Sequence, residues 1–246
     1  MYILESFSLS DMTRCGTDLR QMAEGASSGE EVAQRMVSYL YENFEQKSGD
    51  KALGLVRLFM THTWSELDAP LKKKVMTMLP ASDKGGRDLK CLVLMATAGS
   101  KPEWNDRHKS VNHKVFPLPS EAFVRNLPMI AQLFNQFGLK LEPFLLDSAV
   151  DSVVLDKEQA SFNVFYVPEA GKCPYLPVQD DFITENGIRS VLGFGGLLGG
   201  NSLFAVILFS KVFISLETAL MFKPLALSCK NALLQVSSKK IFQPHS

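Results

Sequence analysis

The sequence predicts a single α+β domain, and three features carry that reading. An amphipathic helical pair opens the chain, strand-like runs apolar on both faces follow, and a glycine-interrupted apolar stretch near the end reads as a hairpin leading into a long helix. The 246 residues are 46% hydrophobic and 21% charged, enough apolar surface for a sizeable core and far from a disordered composition. Lys+Arg and Asp+Glu each number 26, so the positive field that phosphate backbones demand is missing and nucleic acid is not an expected partner. No repeat, low-complexity tract or linker divides 1–246, of which 237–246 reads as a polar tail.

Ser10 is placed to cap a first helix through roughly Glu24, and Ser28 with Glu31 forms a capping box for a second, whose apolar face is Val32, Met36, Val37, Leu40 and Phe44. After Gly49-Asp50, Ala52 to Thr61 is a strand apolar on both faces apart from Arg57, the pattern of a central strand. Pro70 to Leu79 predicts a short helix, stopped by Pro80, and Leu89 to Ala98 a second strong strand. From Ser100 to Leu118 a long polar loop is expected. Ser120 to Phe137 reads as a helix kinked or divided at Pro128, Ser148 to Val154 as a possible short helix, and Phe162 to Val167 as a strand. A short helix over Val178 to Asn186 precedes the hairpin, and Ser215 caps a last helix to Val236 that Pro224 must bend or whose second half it must open.

Ser190 to Ser210 is uncharged and about long enough to span a bilayer. Its five glycines and its β-branched and aromatic end favour two strands joined at Gly-Gly-Asn instead, so no membrane is expected. With no secretory signal at the start, the expected location is the cytoplasm. Cys15, Cys91, Cys173 and Cys229 form no CxxC pair and read as reduced thiols.

Three constellations are candidates for chemistry. His108 and His113, with Asp106 and Cys91, offer donors suited to a metal or a haem iron; the bland reading is a surface or pocket-rim loop. Arg107, Lys109 and Lys114 with Trp104 and His113 are suited to clamping an anionic head group, against a merely solvated loop. Cys173-Pro174-Tyr175 with Asp180 and Asp181 reads either as a lid or as a proline-braced connection. The glycines of 193–200 lack the Lys-Ser/Thr and the helix start of a phosphate loop, and Ser190 and Ser210 lack a nucleophile elbow.

Gly187 to Phe194 (GIRSVLGF), Leu203 to Ser210 (LFAVILFS) and Ile214 to Glu217 (ISLE), with Ser28 to Leu40 and Ala52 to Thr61 near the start, resemble the GAF family of small-molecule sensor domains. The resemblance brackets about 8–236, while 64–80 and 100–156 are longer than the family's usual length. WNDRHKSVNHKVFPLPSE and KCPYLPVQDDF resemble a bacterial sensory subgroup found upstream of histidine kinases or nucleotide cyclases. It implies a GAF-like antiparallel sheet with the N- and C-terminal helices on one face and a helical/loop insertion carrying a ligand pocket on the other. The implied role is a non-catalytic regulatory module: a homodimer through its terminal helices that binds a small molecule and passes its output to a kinase or cyclase partner, or a fragment of a longer receptor. Implied pocket residues are Trp104, Arg107, His108, His113, Phe116, Tyr166, Cys173, Tyr175, Asp180 and Phe194. Two alternatives stay open: a thiol enzyme of the free methionine sulfoxide reductase type using Cys91 and Cys173, and a ligand-free dimerisation scaffold.

Overall fold

The computed structural model describes residues 1–80, 86, 88–110, 113–145, 163–176, 182–199 and 202–243. Helix α1 (Leu9–Gln21) starts earlier than expected because Ser8, not Ser10, completes a capping box. The Ser8 hydroxyl accepts from the Asp11 amide at 3.2 Å, and the Asp11 carboxylate accepts from the Ser8 amide at 3.1 Å. Helix α2 (Gly29–Asn43) is capped by Ser28 as predicted, through the Glu31 amide. The Glu31 carboxylate turns instead to the amide and hydroxyl of Ser27, at 2.8 and 2.7 Å, so only half of the expected box forms. Short strands β1 (Tyr2–Ile3) and β2 (Phe44–Glu45) pair in parallel and tie the N-terminus to the end of α2.

Six strands build one antiparallel sheet: β3 (Leu53–Thr63), β4 (Lys90–Gly99), β5 (Val115–Pro117), β6 (Asn163–Val167), β7 (Ser190–Leu197) and β8 (Leu203–Ser210), in the order β5-β4-β3-β8-β7-β6. β3 and β8 lie at its centre, which is why their apolar residues fill both faces. The stretch from Ser190 to Ser210 is the expected hairpin, and no described helix is long and apolar enough to cross a membrane. Strand β5 lies inside the segment expected to be a polar loop; at three residues it carries no period to read.

Helix α3 (Ala69–Met78) is capped by Asp68. The run from Ser120 divides at Pro128 into α4 (Glu121–Arg125) and α5 (Pro128–Gln136), with Pro128 in the first turn, where its missing N–H is not needed. α6 (Leu141–Leu145) follows, and the possible helix at 148–154 lies outside the described residues. The last helix also divides, into α7 (Leu216–Leu220) and α8 (Lys223–Gln235), with Pro224 opening the second piece.

Two cores sandwich the sheet. On the near face α1, α2 and α8 cover Val56, Leu58, Leu192 and Leu208; on the far face α4, α5, α6 and residues 170–176 and 182–188 cover Leu55, Phe59, Leu94 and Ile207. Of the two long segments, the described part of 100–156 sends Trp104, Phe116 and most of 118–145 to the far face as implied, while Arg107 pairs with Glu30 on α2 and Val115 packs in the near core. The other, 64–80, stays on the near face, because Leu67, Leu71 and Val75 pack with Cys91 and Val93. The tail beyond Val236 is not a free polar end: the Lys240 and Ile241 carbonyls accept from the Gly29 and Glu30 amides, satisfying the start of α2.

Candidate functional site

Alternation along β3 sends Leu55, Arg57 and Phe59 to the far face and Val56 and Leu58 to the near face. Arg57 therefore rises from the centre of the sheet, directly between Thr97 on β4 and Ile207 on β8. A β-bulge between Leu58 and Phe59 follows it, a device that re-aims neighbouring side chains. The guanidinium Nη2 reaches the Ser110 hydroxyl at 3.4 Å, too long for a strong bond. Its Nε and the Thr97 Oγ1 are sealed from solvent with no hydrogen-bond partner. Burial lowers the Arg57 pKa to about 10, which leaves the group charged at neutral pH.

Above this point sits His113, at φ 64° the one described non-glycine residue with a left-handed backbone. Its ring stacks on Phe116 at 5.6 Å, and Phe116 meets Phe59 at 6.3 Å. Burial first, then the positive charges of Arg57 and Lys74, push His113 down to about 4, so the imidazole is neutral. Trp104 closes the other end of this row. It lies over Gly99 and 5.5 Å from Phe182, whose ring meets Phe209 edge-on at 5.2 Å.

The candidates separate into groups. Trp104, His113, Phe116 and Cys173 lie on the far face, and Tyr175 is exposed beside α5 and α6. Phe194 and Tyr166 do not line that face. Phe194 is fully buried on the near face against Phe222 at 5.6 Å, and the Tyr166 hydroxyl donates to the Ile214 carbonyl at 2.5 Å, because each sits one residue out of phase with the far-facing Gly193, Gly195 and Phe165.

Arg107 is no free clamp either. Its Nε and Nη2 donate to both Glu30 carboxylate oxygens, at 2.6 and 3.1 Å, and His108 lies 3.7 Å from the same carboxylate. Asp180 lies outside the described residues. His108 and His113 therefore serve different places, and no metal-holding group of His, Cys, Asp or Glu occurs among the described residues. Cys91 packs on the near face and Cys173 on the far face, so the sheet separates the proposed redox pair; burial also pushes the Cys91 thiol up to about 12.

Arg57, Thr97 and Ser110 are the polar residues that sequence reasoning did not select. The signal was Arg57 alone, the single charge in ALGLVRLFMT. Thr97 and Ser110 join it only through strand register and loop path. An open groove of about 680 Å³ runs along the outer side of α5, lined by Arg125, Gln132, Asn135, Glu142 and Tyr175 among others. It does not include Arg57, and Arg125 is already bonded to Glu121, so the sheet-facing cluster is the better candidate.

Helices on one face, an insertion on the other and an antiparallel sheet between them are what the sequence resemblance implied, and the sheet has six strands. The fold is GAF-like. No protein-family model and no curated protein matches the chain. Solved structures similar to it include a free methionine-R-sulfoxide reductase from Neisseria meningitidis in complex with its substrate, at 10% identity and TM-score 0.49 over 93% of this chain and 92% of that one. A GAF domain of a phosphoenolpyruvate-protein phosphotransferase from Coxiella burnetii aligns at 13% identity and TM-score 0.44, over 93% and 96%. A further GAF domain aligns at 8% and 0.48, over 94% and 92%. These are likenesses in the path of the chain, and no activity comes with them.

Proposed function

We propose that this GAF-like chain is a regulatory module without catalysis of its own, which binds a small molecule on the far face and relays its occupancy to the terminal helices. The observation that supports the reading is the phase of β7. Gly193 and Gly195 meet Phe165 and Phe137 on the far face, while Phe194 between them presses on Phe222, at the break between α7 and α8. A ligand that favours one far-face packing then biases the helix break by its difference in affinity for the two states, and by no more.

The output surface is the exposed pair Leu227 and Leu234, seven residues apart on one face of α8, which favours a homodimer formed with a second copy of the chain. A histidine kinase or cyclase partner is the corresponding downstream element. Native mass spectrometry and an absorption spectrum of freshly purified protein test the reading. A retained organic molecule, together with altered hydrogen exchange in α8 on its removal, is the expected result. Dimers that carry no ligand and gain no thermal stability from a metabolite collection would select the scaffold alternative.

A further inference from the structure

Arg57 stands on one of the two central strands of the sheet, yet no carboxylate among the described residues hydrogen-bonds or pairs with it. A guanidinium held this way loses solvation without recovering it from a counter-charge. Two donors around it have capacity to spare, since Nε and the Thr97 hydroxyl bond nothing; the Ser110 hydroxyl lies 3.4 Å from Nη2. Apolar groups stand close to it, with Ile207 beside it on β8, Phe59 two residues along β3, and the Phe116 ring with the neutral His113 ring above, on which the Lys74 charge also acts. Arg57, His113 and Phe116 are each half-buried, so part of each side chain reaches solvent, whereas Nε and the Thr97 hydroxyl do not.

We propose that Arg57, with Thr97, receives the carboxylate of a small organic acid whose apolar body lies against Phe59, Phe116 and the His113 ring. The Nε–Nη2 edge of a guanidinium matches the two oxygens of a carboxylate, and the Thr97 hydroxyl can donate to a remaining lone pair. A phosphate would turn its further oxygens toward phenyl rings. The inference rests on the far face being the ligand side, and it adds the chemical class of the ligand.

The test uses the full chain in thermal unfolding and calorimetric titration, with sodium benzoate and sodium phenylacetate as probes, their primary amides as uncharged controls and inorganic phosphate as a third arm. Either acid is expected to raise the unfolding midpoint by about 2–6 °C at saturation, the amides and phosphate are not, and Arg57→Met is expected to weaken acid binding at least about tenfold. Ligand-free Arg57→Met is expected to be no less stable than the parent, because the charge it removes has no counter-charge. Should that variant fail to fold, Thr97→Val provides the second reading, with acid binding reduced about threefold or more. Equal responses to acid and amide, a response to phosphate alone, or a parent indifferent to both acids would overturn the proposal. Acids that bind through Arg57 without changing hydrogen exchange in α8 would uphold the ligand class and refute the relay. A non-acid ligand that changes α8 while the acids do nothing would do the reverse.

Discussion

In the unfolded chain His113 titrates near the ordinary histidine value of about 6.5, whereas burial, then the charges of Arg57 and Lys74, hold it at about 4 in the folded protein. Between those values the unfolded state takes a proton that the folded state refuses. The stability that depends on neutral His113 is therefore full above pH 6.5 and lost as the pH falls toward 4, by roughly 2–3 kcal/mol. His62, lowered by burial, acts in the same direction. Urea unfolding at pH 7.5 and pH 5 should show the loss, and His113→Asn, which tolerates the left-handed backbone, should lessen it; an undiminished pH dependence in that variant would contradict this account. The Arg107–Glu30 pair offers a second residue-scale prediction. Glu30 also accepts from the Gln243 amide, and the Arg107 guanidinium lies 4.7 Å from the Phe242 ring, so the pair joins the loop after β4, the start of α2 and the tail. Arg107→Met strands a buried carboxylate and should cost about 3–5 kcal/mol in urea, with faster amide exchange at Gly29 and Glu30. Of these residues, Arg57 was visible in sequence as a charge inside an apolar run, while the partner of Arg107 was not, since Glu30 lies 77 positions away.

Strand β7 shows what an element demands of its residues. A Cβ on Gly195 would lie 2.2 Å from the Phe204 carbonyl oxygen and 3.1 Å from the Phe137 ring, so backbone as well as side chain must move. Gly195→Ala should lose at least about 3 kcal/mol or fail to fold, whereas Gly199→Ala, with nothing within 4 Å, should change the unfolding midpoint little. Helix caps belong to the same scale: Ser28→Ala should cost about 1 kcal/mol, because the Glu31 amide loses its acceptor at 3.1 Å. Elements with a long period or a strong breaker were legible, as the hairpin and the division at Pro128 show. Ser8 over Ser10 was not, because either serine precedes a helical run and the choice depends on which one Asp11 can answer.

For the whole molecule, the exposed pair Leu227 and Leu234 on α8 makes the proposed association measurable. Leu227→Glu combined with Leu234→Glu should reduce the mass seen by light scattering from dimer to monomer without altering the fold, since both side chains are exposed in one chain; an unchanged mass would remove this surface from the proposal. What the sequence by itself determined is the α+β class, the central strands and the terminal helices, because apolar period and turn chemistry are local quantities. Only the tertiary structure decided which candidates share a face. It sent Phe194 and Tyr166 to the terminal helices, engaged Arg107 with Glu30, separated Cys91 from Cys173 and gathered Arg57, Thr97 and Ser110. The physical reason is that a side chain's face depends on strand phase and bulges, and its partner on packing between segments far apart in the chain.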